Sequence, residues 1–378
     1  MQFVDLAAQL ATIRESVDQR IKAVLDHGNF ILGPEVKELE KNLAEFAGVK
    51  HCISCASGTD ALLLPLMAYG VGPRDAIFTT PFTFIATAEV ISLLGATPVY
   101  VDIDPNTFNI DPVKLRQAIE DLKSGRKPTP QFPDGLQPKG IIAVDLFGLA
   151  ADYDAINAVA GEHGLFVIED AAQSFGASYK GKMAGSLADV AATSFFPAKP
   201  LGCYGDGGAV FTNDDTLATV VESLRVHGKG KDKYDNIRIG INGRLDTLQA
   251  AILLSKLEIF KKEIEMRQQV AARYSAGLKS VVKVPHVPDG YTSAWGQYSI
   301  ISDRKNKLMA NLQEAKIPTA VYYPRPLHIQ TAFAFLGYKE GSMPVSEQSS
   351  ATIFSLPMHP YLNTEDQKKI ISCIDKLS

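Results

Sequence analysis

The chain has 378 residues, of which 46% are hydrophobic and 21% charged, with a net charge of −4 at pH 7. This composition predicts a soluble globular protein of two domains, and 38 basic against 42 acidic residues leave no electrostatic basis for binding nucleic acid. Four cysteines are too few for a disulfide scaffold, and the sequence shows neither a signal peptide nor a membrane span, so we expect a cytoplasmic protein.

The first sixty residues predict two helices and a strand. Residues 9–26 and 34–47 have apolar positions at helical spacing, and each segment is followed by a glycine. Residues 51–55 predict a short buried strand, after which Gly58 and Thr59 begin another helix. Free N–H groups at that helix start can bind an anion, although simple N-capping explains the same residues.

From residue 76 onward, predicted strands alternate with predicted helices. The strands are 76–80, 98–103, 140–148 and 165–170, and the helices are 85–94, 112–122 and 152–163. Several strands are almost entirely apolar, which predicts a parallel sheet covered on both faces. Ligands of such sheets bind beyond the carboxyl ends of the strands. The polar, proline-rich stretch 123–139 is interpreted as an exposed insertion within the domain.

The stretch 193–210 reads TSFFPAKPLGCYGDGGAV, with Lys199 between two prolines and followed by four glycines within seven residues. The prolines exclude a long helix, while glycine permits positive φ and close approach of the backbone to a ligand. A lysine held in such a loop either has a chemical role or is a solvated surface residue.

Residues 245–378 predict a long helical segment that leads into a smaller α/β domain. Residues 245–278 predict one long helix or two in tandem. Beyond them lie predicted strands at 298–302 and 320–323 and predicted helices at 304–315, 344–351 and 364–377. We therefore predict a large cofactor-binding domain of residues 1–250 and a small domain of residues 251–378 that includes the bridging helix. The basic cluster 227–233 either meets an anionic small molecule or is a mobile charged loop.

Cys52 and Cys55 form a C-x-x-C motif, which occurs in redox sites and in zinc sites. Cys203 and Cys373 stand apart, so the second pair that a zinc ribbon needs is missing. We interpret the motif as structural and expect no metal site.

Lysine-based carbonyl chemistry makes three further demands if the partner is pyridoxal phosphate. A carboxylate must keep the pyridine nitrogen protonated, so that the ring can accept electrons. N–H donors and hydroxyls at a helix start must bind the phosphate, and a flat apolar group must face the ring.

The sequence offers a candidate for each demand at a predicted strand end. Asp170 ends a strand 29 residues before Lys199. The other candidates are Gly58, Thr59 and Ser194 for the phosphate, and Phe82 and Phe84 for the ring. Each has an ordinary alternative as a cap or a core residue, but their joint placement favours pyridoxal phosphate.

Several segments resemble the DegT/StrS-type sugar aminotransferases, which are pyridoxal-phosphate enzymes of the aspartate-aminotransferase fold (fold type I, α/β, with a mostly parallel central sheet). These segments are GTDAL, TPFTFIATAE, VYVDIDP, EDAAQSFGA, SFFPAKPLGCYGDGGAV and GINGRLDTLQAA, and they occur in the family's order from about residue 3 to the C-terminus.

The resemblance implies a role for each candidate. Lys199 would form the Schiff base with the cofactor and move protons, and Asp170 would pair with the pyridine nitrogen. The remaining implied contacts are Gln173 near the ring hydroxyl, Phe84 stacked on the ring, Ser194 with Gly58 and Thr59 on the phosphate, and Asn242 on the phosphate of the neighbouring subunit's cofactor. That last contact implies a homodimer with shared active sites.

GNFILGPEV, FGASYKGK and SLPMHPYL resemble the branch that aminates a 3-keto UDP-N-acetylhexosaminuronic acid, with L-glutamate as donor, for bacterial surface polysaccharide. A uronate carboxylate and a diphosphate need cations, for which Arg238 and His227 are candidates. Arg238 is preferred for the carboxylate because arginine pairs with it in two hydrogen bonds, although a surface ion pair is the ordinary alternative. Tyr322 and His328 resemble the family's active-site loop from the small domain.

Four other functions compete with this assignment. A 4-aminotransferase acting on a 4-keto-6-deoxy nucleotide sugar stays open, as does a regulatory protein that keeps the fold without catalysis. Sugar dehydratases of the same family have a histidine in place of the lysine, so Lys199 favours transamination. A nicotinamide-dependent oxidoreductase is disfavoured because GCYGDGG is not G-x-G-x-x-G and precedes a strand.

Overall fold

The structure is a computed structural model that describes residues 1–232 and 234–376. Four of the predicted segments include residues outside this range. The basic cluster 227–233 and the large domain 1–250 include residue 233, the last helix 364–377 includes residue 377, and the small domain 251–378 includes residues 377 and 378.

Helices and strands alternate along most of the described chain. The helices are α1 Leu6–His27, α2 Pro34–Ala47, α3 Gly58–Ala68, α4 Ala86–Leu93, α5 Pro112–Lys123, α6 Tyr153–His163, α7 Asp215–Leu224, α8 Thr247–Leu278, α9 Lys305–Glu314, α10 Pro344–Thr352 and α11 Thr364–Asp375. The strands are β1 His51–Cys55, β2 Asp75–Thr79, β3 Thr97–Tyr100, β4 Gln137–Val144, β5 Phe166–Asp170, β6 Ser178–Tyr179, β7 Lys182–Met183, β8 Val190–Ser194, β9 Gly208–Thr212, β10 Tyr291–Thr292, β11 Tyr298–Ile301 and β12 Ile353–Leu356.

Local capping chemistry sets the helix ends that the sequence indicated. The Asp5 carboxylate accepts a hydrogen bond from the Ala8 N–H at 2.9 Å at the start of α1, and Gly28 ends that helix at φ 70°. The segment predicted as one or two helices is the single 32-residue helix α8. The predicted strand at 320–323 is absent from the described chain, where Ala320 makes only an isolated bridge with Ser355.

Within the described chain the main sheet has seven strands in the order β1-β9-β8-β5-β4-β2-β3. The five strands from β3 to β8 are parallel, whereas β9 runs antiparallel to both β8 and β1. This agrees with the mostly parallel central sheet that the resemblance implies, and β9 is one of the exceptions. The segment 195–207 between β8 and β9 contains no helix, and without a helical crossover the chain returns antiparallel.

Side chains of the central strands alternate between two apolar layers. Ile141 and Ala143 pack in one cluster with α5 and α6, whereas Ile142 packs in another with α3, α4 and α7. Both faces of the sheet are thus covered, which explains why residues 140–144 of β4 carry no polar side chain.

The second half of α8 packs against a separate cluster formed by β11, β12, α9 and α11. By contrast, Leu327, Phe333 and Leu336 pack in the same cluster as β4. The C-terminal third therefore contacts the main sheet as well as its own core, and the division into 1–250 and 251–378 stays a prediction.

The stretch 123–139 is mostly exposed, as its composition predicted, but three of its residues are buried. Phe132 and Leu136 are 2% and 5% exposed and pack in the cluster around β4. The Thr129 hydroxyl also donates a hydrogen bond to the Leu336 carbonyl. Two apolar anchors hidden among polar and proline residues thus fix this connection to the core.

We expect Phe132→Ala to lower the free energy of unfolding by about 3–5 kcal/mol, because it removes a buried aromatic side chain. Urea denaturation would measure the loss. Asp134→Ala, two residues away at a side chain that is 95% exposed, is the control and should leave the urea midpoint unchanged. An unchanged midpoint in Phe132→Ala would show that this side chain does not anchor the segment to the core.

Candidate active site

The candidate site lies where β5 and β8 end and α3 begins. Asp170 is the last residue of β5 and pairs with Ala192, two residues before the end of β8 at Ser194. Ser194 in turn pairs with Gly208, which also pairs with Cys55 at the end of β1. These pairings bring together three segments that are distant in sequence, at the end of the sheet where β5 and β8 terminate. There they line a cavity of about 450 Å³.

A tight turn holds Lys199 at this cavity. The Lys199 N–H donates to the Phe196 carbonyl at 2.8 Å. A Cβ on Gly202 would lie 2.5 Å from the Pro197 carbonyl oxygen, so only glycine fits there. The Lys256 amine donates to the Gly202 carbonyl at 2.6 Å and fixes the far end of the turn. The four glycines of the loop all lack a positive φ, so close approach of the backbone, and not φ, explains them.

Burial lowers the pKa of the Lys199 amine, and the Asp170 carboxylate partly opposes this shift. A lowered pKa increases the fraction of neutral amine near neutral pH, and only the neutral amine attacks a carbonyl. The turn thus presents a lysine that is suited to Schiff-base chemistry.

Asp170 is 5% exposed. One of its oxygens accepts a hydrogen bond from the Thr87 hydroxyl at 2.8 Å, and the other accepts from the Ala172 N–H at 3.2 Å. Burial raises the pKa of Asp170, and these two donors and Lys199 oppose the shift. A buried carboxylate gains most from a charged donor, so Asp170 fits a protonated ring nitrogen. Thr87 was not predicted from the sequence. It lies in the first turn of α4, which places its hydroxyl next to the Asp170 carboxylate.

The start of α3 and the end of β8 form an anion cradle. A Cβ on Gly58 would lie 2.6 Å from the Cβ of Ser194, so the glycine makes room for the serine. The Ser57 hydroxyl caps the helix by accepting from the Asp60 N–H at 3.0 Å. The N–H groups of the first turn, at Gly58 and Thr59, have no intrahelical partner and border the cavity. A phosphate fits this cradle.

Of the two phenylalanines, only Phe84 lines the cavity, where it is 56% exposed. Phe82 is fully buried and packs edge-on against Tyr323. The Gln173 amide donates to the Tyr323 hydroxyl at 3.2 Å and accepts from the Phe147 N–H at 2.8 Å. Tyr322 and Tyr323 both line the cavity, and the second of them was missed because adjacent tyrosines in a loop carry no periodic signal.

Four predicted residues do not line this cavity. His328 is 1% exposed, and its Nε2 lies 2.9 Å from the Glu347 carboxylate, because its 3₁₀ turn packs into the core. His227, Arg238 and Asn242 are also not among the residues that line the cavity. Among residues 1–232 and 234–376, Arg238 forms no ion pair with a carboxylate, so the alternative of a surface ion pair has no support.

In the part of the chain that the structure describes, no cluster of three or more His, Cys, Asp or Glu side chains could hold a metal ion. Cys52 and Cys55 project from opposite faces of the sheet, into different apolar clusters. They therefore share neither a disulfide nor a ligand, and burial raises the pKa of both thiols.

No helix among the described residues combines the length and the apolarity that are needed to cross a membrane.

The similarity to known proteins covers almost the whole chain. The DegT/DnrJ/EryC1/StrS aminotransferase family model matches residues 11–375. The UDP-2-acetamido-2-deoxy-3-oxo-D-glucuronate aminotransferase of Pseudomonas aeruginosa is 52% identical over 375 residues, covering 99% of both chains. A pleiotropic regulatory protein of Geobacillus stearothermophilus is 44% identical, covering 98% of this chain and 96% of its own.

Two solved structures are similar in three dimensions. A DegT/DnrJ/EryC1/StrS aminotransferase from Brucella abortus is 53% identical with a TM-score of 0.95, covering 100% of this chain and 99% of its own. NtdA from Bacillus subtilis, solved with bound cofactor PMP, is 29% identical with a TM-score of 0.87, covering 99% of this chain and 83% of its own.

Gly58→Ala should weaken the binding of pyridoxal phosphate roughly tenfold or more, because its Cβ would push Ser194 out of the cradle. Absorbance titration with pyridoxal phosphate measures the change. Gly72→Ala is the control, since a Cβ there would meet open space. Equal affinities of the two variants would show that the phosphate binds elsewhere.

Proposed function

The chain belongs to the DegT/DnrJ/EryC1/StrS aminotransferase family, and we propose that it transfers the amino group of L-glutamate to a 3-keto UDP-N-acetylhexosaminuronic acid, giving the 3-amino sugar. The predicted family, the fold type I architecture and pyridoxal phosphate as cofactor are confirmed. We further propose that the product serves bacterial surface polysaccharide and that the enzyme acts in the cytoplasm as a homodimer.

The observation that carries the proposal is one cavity lined by Lys199, Asp170 and the cradle of Gly58 and Ser194. These groups match the carbonyl, ring nitrogen and phosphate of pyridoxal phosphate. When bound, that cofactor supplies an electron sink for the carbon that loses its proton. Lys199 then holds and returns the proton, while Asp170 keeps the ring nitrogen protonated. Gly58, Thr59 and Ser194 would hold the phosphate group of the cofactor, which leaves Lys199 free to move the proton.

The substrate assignment rests on the relative from Pseudomonas aeruginosa, whose name specifies a 3-oxo-glucuronate UDP-sugar. With 52% identity over 99% of both chains, that relative supports the 3-amino product more directly than a 4-keto-6-deoxy sugar. The name of the Geobacillus relative favours a regulatory role instead. The presence of both Lys199 and Asp170 in the cavity argues for catalysis, since a binding protein needs neither to move a proton.

A second subunit would complete the site. Phe84 and Phe196 line the cavity yet are 56% and 52% exposed, and Ile237 and Ile239 are 57% and 89% exposed. Such exposed apolar side chains are typical of an interface. We propose that a second copy covers them and that His227, Arg238 and Asn242 face the cavity of the partner subunit. Arg238 would there pair with the substrate carboxylate, His227 would contact the diphosphate and Asn242 would reach the cofactor phosphate.

Purified protein with pyridoxal phosphate should show a visible absorbance band, absent in Lys199→Ala and retained in Lys182→Ala, whose side chain is exposed. Wild type and Lys182→Ala should convert the 3-keto UDP-uronate with glutamate, whereas Lys199→Ala should lose at least about 10³-fold in kcat. Product mass and 2-oxoglutarate release measure turnover. A wild-type protein that takes up no pyridoxal phosphate contradicts the mechanism. Turnover of 4-keto-6-deoxy sugars alone moves the assignment to the 4-aminotransferases.

Mixed dimers test whether Asn242 acts across the interface. Lys199→Ala and Asn242→Ala should each be impaired alone. If Asn242 serves the partner's site, co-expression of the two variants restores activity, because each mixed dimer then contains one site with both defects and one site with neither. Activity per dimer, compared with separately purified variants mixed after folding, gives the answer. No restoration in confirmed mixed dimers would place Asn242 at its own subunit's site.

A further inference from the structure

Lys199 also lines a second, much smaller cavity of about 10 Å³. Lys199 is the only described residue that belongs to the walls of both cavities. The other residues of the small cavity come from the N-terminal segment with α1, from the lysine loop, from α8 and from the SLPMHPYL motif. They are Val4, Asp5, Leu6, Gln9, Pro197, Arg267, His359, Pro360 and Tyr361. The proposed function leaves the SLPMHPYL motif unexplained.

Three polar side chains in this wall are almost fully buried and incompletely paired. Gln9, Arg267 and His359 are 8%, 4% and 3% exposed. The Gln9 Oε1, the Arg267 Nε and both ring nitrogens of His359 have no hydrogen-bond partner among the described residues. The Gln2 backbone is close enough to raise the pKa of His359 but makes no hydrogen bond with either ring nitrogen. Four unpaired polar atoms around one cavity indicate a bound polar ligand, because buried polar groups in proteins are almost always satisfied.

Neighbouring contacts determine which of these atoms donate and which accept. The Gln9 Nε2 donates to both oxygens of the Glu263 carboxylate at 2.9 Å, so its Oε1 is the free acceptor. The Arg267 Nη1 donates to the Trp295 carbonyl at 2.9 Å, which leaves its Nε–H as a free donor. Burial lowers the pKa of His359 to about 4, so the neutral imidazole offers one donor and one acceptor.

The size of the cavity decides the ligand. A volume of about 10 Å³ is close to what the centre of one water molecule requires, and a carboxylate or a phosphate does not fit. Water can accept from Arg267 and donate to Gln9, and it still has one donor and one acceptor site to link two further groups.

We propose that one ordered water in this cavity links His359, Arg267 and Gln9 to the Lys199 side chain, and that His359 is a positioning residue for the Lys199 amine. This inference rests on the proposed function. The water restrains the amine whenever Lys199 is not bonded to the cofactor, so that the amine keeps the position from which it returns the proton.

A crystal structure of the full-length wild-type protein tests the water directly. We expect ordered density within hydrogen-bonding distance of His359, Arg267 and the Lys199 amine. A cavity without density in a map that shows other buried waters overturns the proposal. This measurement needs no turnover, so it stays decisive even if the proposed substrate proves wrong.

His359→Phe, which fills the cavity with carbon, tests the role of the water. We expect kcat to fall roughly 10- to 100-fold with the glutamate KM unchanged, because the amine loses its position. The dependence of kcat and of the visible band on pH should shift as well. His359→Gln, which retains hydrogen-bonding atoms, should recover most of the rate.

His163→Phe is the matched control. It replaces another histidine whose Nε2 is buried without a partner but which does not line the cavity. Wild-type pH profiles in both His359→Phe and His163→Phe would overturn the positioning role. Circular dichroism shows whether His359→Phe folds. If it does not fold, His359→Gln and the wild-type crystal structure test the positioning role instead. Failure of the wild type to bind pyridoxal phosphate would instead refute the proposed function.

Discussion

The parallel pairing of β5 with β8 is the constraint on which the site depends. It places Asp170 beside Ala192 and thereby sets the end of β5 against the start of the lysine loop. The Ala171 N–H extends the same ladder by donating to the Ala192 carbonyl at 2.8 Å. A strand positions a side chain more precisely than a loop does, so the sheet fixes Asp170 directly and Lys199 through the start of its loop.

The ionisable groups of the site depend on one another through burial. Burial lowers the pKa of the Lys199 amine and raises the pKa of Asp170, and each group moderates the pKa shift of the other. Burying an amine and a carboxylate costs free energy in the apoprotein. The same two groups are suited to a ligand that supplies a compensating charge. The Thr87 hydroxyl reduces that cost for Asp170 by one hydrogen bond.

Distant parts of the chain meet behind the lysine. Gln9 of α1, Glu263 of α8 and Tyr361 near the C-terminus form one buried hydrogen-bonded group, in which the Tyr361 hydroxyl donates to Glu263 at 2.7 Å. Through this group the N-terminal helix is tied to the C-terminal third at the wall that Lys199 shares. Substitutions far from the cofactor in sequence can thus alter how the lysine is held.

Several features could be derived from local sequence because their causes are local. The helix starts at Gly58 and Pro34, the turn around Lys199 and the carboxylate at the end of β5 each follow from residues within one turn or one strand. These features sufficed to predict the fold class and the cofactor. The roles of the individual site residues, including Gln173 and Ser194, stay predictions.

Contacts between distant segments decided the rest. The antiparallel direction of β9, the burial of Phe132 and the enclosure of His328 each depend on which neighbour a segment meets. Thr87 and Tyr323 reach the cavity for the same reason. Local sequence therefore determined the chemical groups and the elements that carry them. Only the tertiary structure decided which of them share a cavity, because packing joins residues that are far apart in the chain.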